Sequence, residues 1–136
     1  MTSDPLGRTF REIDVYLPDG KVFVPDIGFL STKNLAMHWE GDGKIHGAPD
    51  LAVEVTSQDA SRDRIRKFVV YHANGVLWYW IVDQGNLEIE EYIWTEAGYE
   101  LRTRTEAGQT FQPGLFPGMA INLAENLGMT GDEANE

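Results

Sequence analysis

The chain contains no cysteine. That single absence excludes disulfides, thiolate zinc sites and a cysteine nucleophile, and it suits a reducing compartment. Basic residues are scarce, with 11 Lys and Arg against 22 Asp and Glu and a formal net charge of −11. Broad counter-ion release on nucleic acid is therefore excluded over most of the surface, so a polyanion would have to meet a local basic patch or a bound metal. Long apolar runs are missing as well. No stretch approaches the roughly 18 apolar residues of a membrane span, and Met1 to Phe10 carries no signal-peptide core; the expected location is the cytoplasm. No phosphate-cradling glycine loop or nucleophile elbow occurs, since Gly41-Asp42-Gly43 is too short to count. His38, His46 and His72 share no metal-ligand spacing; His72 reads as a core residue and the other two as loop residues.

What is present is the material of one ordinary domain: 136 residues, 42% hydrophobic and 24% charged. A domain of that size buries roughly two-thirds of its unfolded surface and needs no covalent staple. Residues 8–127 are expected to form it, with 128–136 a polar, acidic, disordered tail. Val15-Tyr16-Leu17 and Val22-Phe23-Val24 flank Pro18-Asp19-Gly20, a hairpin corner by its residue types. A strand is expected over Asp26 to Leu30, a polar connection over Ser31 to Ala48 with a helical turn near Asn34 to Trp39, and a buried strand over Pro49 to Val55. Ser57 to Ala73 reads as the one long helix, capped by Ser57 or Asp59 and stopped by Asn74-Gly75. Val76 to Val82, an almost wholly apolar run, suits a central strand covered on both faces. Leu87 to Trp94 and Tyr99 to Thr103 form a hairpin, and a last short strand is expected within Met119 to Leu123. The order of elements predicts an α+β fold with a mixed sheet and a right-handed crossover from Pro49 to Val82.

Three features stand out chemically: Asp26, the pair Asp50 and Glu54, and the helical series Asp63, Lys67, Tyr71. An acid in the middle of Leu-Ala-Val-Glu-Val interrupts an apolar run, and a buried carboxylate is costly unless paired or metal-bound. Asp50 and Glu54 share a strand face but lie roughly 13 Å apart along it, too far to hold one ion comfortably. If the two strands run antiparallel, Asp26 falls beside Glu54 and Asp50 falls at the far end beside Leu30. Asp50 then serves either as a loop cap or as a further acid. Arg62, Arg64, Arg66 and Lys67 crowd one short window, the single local positive patch. Asp63, Lys67 and Tyr71 stand on one helical face at i, i+4, i+8, which as a solvated ion pair is worth a few tenths of a kcal/mol. Apolar periodicity favours a different buried face, through Ile65, Phe68, Val69 and His72. With Val70 and Tyr71 also apolar, the helix has one side for the sheet and another for a partner subunit.

Val24-Pro25-Asp26-Ile27, Ala48-Pro49-Asp50-Leu51-Ala52-Val53-Glu54-Val55-Thr56-Ser57, the helical Asp63, Lys67 and Tyr71, and Gly75-Val76 through Tyr79-Trp80-Ile81-Val82-Asp83 together resemble the Uma-two-type restriction endonucleases of the PD-(D/E)XK superfamily. Pro117-Gly118 followed by Ile121-Asn122-Leu123 fits the same pattern. The resemblance implies a restriction-endonuclease-like mixed β-sheet with one long crossover helix. It implies that Asp26 and Glu54, with Asp50 as a possible further acid, bind Mg²⁺ for hydrolysis of DNA phosphodiesters. The superfamily lysine belongs two residues after the Glu, where Thr56 stands; its role passes to Lys67, which must then face the sheet. Trp78 departs from the family's usual acid, and the family's further N-terminal helix and strands are not found here. The expected protein is a homodimeric, Mg²⁺-dependent nuclease with Asp26, Glu54 and Lys67 as its catalytic group. The acidic charge, the shorter N-terminal portion and the doubly apolar helix suit an alternative, a catalytically silent binding module on the same scaffold.

Overall fold

The computed structural model describes residues 6–56 and 61–122. Among them the elements run β1 (Gly7–Arg11), β2 (Val15–Tyr16), β3 (Val22–Phe23), β4 (Ile27–Ser31), a 3-10 turn (Thr32–Met37), β5 (His38–Trp39), β6 (Lys44–His46), β7 (Leu51–Thr56), α1 (Ser61–Ala73), β8 (Trp78–Asp83), β9 (Ile89–Thr95) and β10 (Gly98–Thr105). The larger sheet has the order β1-β4-β7-β8-β9-β10, and a smaller one has the order β3-β2-β6-β5. In the larger sheet β7 and β8 are parallel, joined by α1, and the other neighbours are antiparallel. This is the mixed α+β architecture expected of the sequence.

The hairpin forms where its turn residues sit, with Val15 opposite Phe23 and the Gly20 amide bonded to the Leu17 carbonyl at φ +93°. The end of α1 also follows its residues. Gly75 takes φ +83°, and the Val76 amide reaches back to the Tyr71 carbonyl at 3.1 Å, a left-handed glycine stop. The expected N-caps, Ser57 and Asp59, lie outside the described residues, as do Leu123 and the acidic tail.

Two expectations need correcting, and one strand lies where none was expected. The stretch from Thr9 holds a strand, β1, paired antiparallel to β4. Gly7 begins it at φ +144°, and a Cβ there would collide with the Leu30 carbonyl oxygen, so only glycine permits the approach. The polar connection after Ser31 contributes β5 and β6, because Ile45 is fully buried against the core while its neighbours face outward. Among the described residues, the segment near Met119 supplies a bridge between Phe111 and Ile121 rather than a strand.

The main core lies between one face of the large sheet, α1 and the small sheet, and includes Val15, Leu30, Ile45, Ala52, Tyr71 and Tyr79. The opposite face gathers Phe29, Leu51 and Val53 with Trp78, Trp80 and Phe116, so both tryptophans serve as packing, beside an apolar groove of about 660 Å³. No helix among the described residues is long and apolar enough to cross a membrane.

The helix does not bury the face that apolar periodicity favours. Ile65 and Val69 are each 63% exposed, whereas Val70 and Tyr71 are buried. The sheet-facing positions are Arg64, Lys67, Phe68 and Tyr71, at i, i+3, i+4 and i+7, because carboxylates rise from the sheet to meet the two cations. Leu30→Ala, at a fully buried site, should cost roughly 2–5 kcal/mol of stability. Val69→Ala should shift it by less than about 0.5 kcal/mol. Urea unfolding measures both.

Candidate active site

Glu54 stands on the helix-facing side of β7 and is 5% exposed. It is there because β7 alternates, and Ala52 and Glu54 point the same way. The antiparallel pairing of Ile27 with Val53 brings Asp26 alongside. The Val55 amide donates to Asp26 Oδ2 at 2.7 Å, so the aspartate extends the ladder past the end of β4 and is fixed in place.

From above, α1 supplies two donors to the buried carboxylate. Tyr71 Oη donates to Glu54 Oε2 at 2.7 Å, and Lys67 Nζ donates to Oε1 at 3.1 Å. The same amine lies 3.0 Å from Asp63 Oδ2. The helical series at i, i+4, i+8 is thus one connected assembly: Asp63 holds Lys67, and Lys67 and Tyr71 hold Glu54. A cleft of about 40 Å³ opens beside it, lined in part by Thr56, Asp63, Arg64 and Lys67.

The structure separates Asp50 from this group. It sits at the opposite end of β7, where Oδ2 accepts from the Ser31 amide at 2.6 Å and Oδ1 accepts from Asn34 Nδ2 at 2.9 Å. Of the two readings of Asp50, its contacts are those of a loop brace. His38 packs tilted against Phe10, His46 stacks on Trp39 and pairs with Asp42, and His72 stacks on Trp94; these contacts lie away from Asp26 and Glu54.

Residue typing along the chain overlooked a second buried acid on the same face. Glu90 of β9 is also 5% exposed. Its Oε1 accepts from Arg64 Nη2 and from Tyr92 Oη at 2.8 Å, and its Oε2 accepts from Arg104 Nε at 3.1 Å and Nη2 at 2.6 Å. Its neighbour Glu91 points to the other face and meets Arg102, Trp80 Nε1 and the Gly114 amide. The signal was available: Ile-Glu-Glu-Tyr-Ile-Trp interrupts an apolar run as plainly as Glu54 does.

The two buried glutamates behave oppositely. Burial pushes the Glu54 carboxyl above its ordinary range, and the nearby Asp26 charge adds to that push; the bonds from Tyr71 and Lys67 oppose it without prevailing. Burial pushes Glu90 up too, but the donors from Tyr92 and Arg104 and the charge of Arg64 hold it below that range. Glu90 is satisfied, whereas Glu54 is left wanting positive charge. Burial alone would lower the Lys67 amine, yet Asp63 and Glu54 keep it raised and therefore charged. Tyr71 is pushed far up, first by burial and then by Glu54, so it remains a neutral donor.

The sequence matches the family described as "Putative restriction endonuclease" (Uma2) over residues 2–124. The chain belongs to the Uma2 family. A crystal structure from Anabaena variabilis, described as a "putative nuclease belonging to DUF820", is similar at TM-score 0.66 and 19% identity, over 92% of this chain and 70% of that one. Among curated proteins none matches. This Uma2 chain thus has a restriction-endonuclease-like α+β fold.

The Uma2 site can be probed through stability. The raised Glu54 carboxyl means the folded state favours its protonated form, so the ionised group costs stability once pH exceeds its folded pKa. Glu54→Gln should therefore raise the thermal midpoint at pH 7, with the gain fading as pH falls below about 4, where glutamate becomes protonated in both states. Glu90→Gln should do the reverse, lowering the midpoint at pH 7 by a margin that shrinks as pH falls. Thermal unfolding across pH reads both signs.

Proposed function

We propose that this chain is a Mg²⁺-dependent endonuclease that hydrolyses DNA phosphodiester bonds, with Asp26 and Glu54 holding the ion and Lys67 serving the attacking water. The observation that carries this reading is the meeting of Lys67 Nζ and Glu54 Oε1 at 3.1 Å beside a strand-tethered Asp26. A lysine on a crossover helix has no reason to enter a sheet's apolar face except for what the sheet holds there.

The donor set suits a magnesium-like ion. Among the described residues no three His, Cys, Asp or Glu gather into a cage, and Mg²⁺ takes one or two carboxylates while keeping several waters. Each carboxylate oxygen of Glu54 has two acceptor positions, so Tyr71 and Lys67 leave room for a further partner. The excess negative character of Glu54 is what a divalent cation would relieve. When bound, Mg²⁺ supplies Lewis acidity that acidifies water and neutralises phosphate charge.

This chain's own residues do the positioning. Tyr71 fixes one oxygen of Glu54 and so aims the other. Asp63 holds the Lys67 amine over the cleft. Kept charged, Lys67 acts as a donor and not as a base, steadying the incoming water and the charge that builds on the phosphoryl oxygens. Thr56, at the place two residues after the glutamate, offers a hydroxyl that cannot supply that charge.

The reading includes a homodimer, with Ile65 and Val69 on the outer stripe of α1 as the contact, and a cytoplasmic setting. Light scattering should show a dimer that Val69→Asp converts to monomer. Purified protein with Mg²⁺ or Mn²⁺ should cut plasmid, and Glu54→Ala or Lys67→Ala should reduce the rate by about 10²-fold or more. Cutting that survives Glu54→Ala would show that another site is responsible. Calorimetry without heat at millimolar Mg²⁺ would favour the silent binding module.

A further inference from the structure

The register of the large sheet sets several chemically active residues on one row. Glu54 lies opposite Ile81, Ile81 opposite Glu90, and Glu90 opposite Arg104. At about 4.8 Å per strand the row runs roughly 14 Å from Glu54 to the edge strand β10. The helix α1 lies across it, with Lys67 over Glu54 and Arg64, one turn earlier, over Glu90. Cations thus follow in order from the candidate site outward: Lys67, Arg64, Arg104.

A buried carboxylate needs one cation for neutrality. Glu91, on the opposite face, has one, Arg102. Glu90 has two, Arg64 and Arg104, whose side chains are 37% and 53% exposed while its own is nearly covered. Glu88 also acts on Arg104 by charge, so what the pair offers beyond Glu90 is partly exposed guanidinium donors and not a net positive charge. Neither guanidinium spends all its donors on the sheet. Arg64 uses Nη2 for Glu90 and Tyr92, and Arg104 uses Nε and Nη2 for Glu90. Five donors in a rigid fork leave others directed away from the carboxylate. Arg64 also lines the same cleft as Lys67.

We infer that Arg64 and Arg104, mounted on Glu90, bind the phosphodiester backbone of the substrate as it passes from the Lys67 site toward the β10 edge. This rests on the reading of that site as a phosphodiesterase and names the surface that holds its substrate. Glu90 is the positioning residue. By holding both guanidinia before substrate arrives, it removes the ordering cost that two free arginines would otherwise incur on binding. A short, preset basic track is also what a chain of net charge −11 requires to approach a polyanion.

The test is the salt dependence of binding to a labelled DNA duplex, read by fluorescence anisotropy between about 50 and 200 mM salt, with Ca²⁺ as the hard divalent ion. Arg64→Gln and Arg104→Gln should each weaken binding and flatten the slope of log K against log salt by about 0.9, one phosphate contact apiece. Arg64→Lys and Arg104→Lys should keep the slope, and thermal unfolding alongside separates lost charge from lost fold. An unchanged slope in both glutamine variants, with the intact protein binding DNA, would overturn the track and leave the metal site's reading standing. Failure of the intact protein to bind DNA would overturn the track, and Mg²⁺ calorimetry on the same sample then shows whether the metal site falls with it.

Discussion

A carboxylate inside an apolar sheet, met among the described residues by two donors from one helix, organises the rest of this molecule. Glu54 could have been silenced as Glu90 is, by adding guanidinium groups until the charge was matched. Instead the helix offers one phenol and one shared ammonium. Burial of an under-compensated charge is expensive. Asp26 adds its own charge from the neighbouring strand and is itself anchored by the Val55 amide. The surrounding core of Leu30, Ala52, Tyr79 and Ile81 makes that cost tolerable.

Much of this was legible from residue types. The hairpin around Gly20 and the helix stop at Gly75 were readable because each depends on local backbone chemistry. Strand geometry placed Asp26 beside Glu54 on the condition that their strands run antiparallel, and they do. The β5–β6 half of the small sheet and β1 were not readable. β5 and β6 are short and polar, and their membership depends on Ile45 finding a distant core rather than on any local pattern.

The helix is the instructive failure. Hydrophobic periodicity counts Arg64 and Lys67 as outward-facing, yet both turn toward the sheet, because carboxylate partners there draw the charged head groups in. Only the resemblance carried by Asp63, Lys67 and Tyr71 pointed the correct way. The same blindness hid Glu90. An interrupted apolar run marks a buried acid, but nothing local says which cations will reach it from 14 and 26 residues away.

That one rod carries both Lys67 and Arg64 has a mechanical consequence. Each residue adds about 1.5 Å of rise along a helix axis, and hydrogen bonds fail within about an ångström of excess length. A slide of α1 by a single residue would thus uncouple the ammonium from Glu54 and the guanidinium from Glu90 in the same stroke. Whatever grips the outer stripe of that rod holds a common throttle on both.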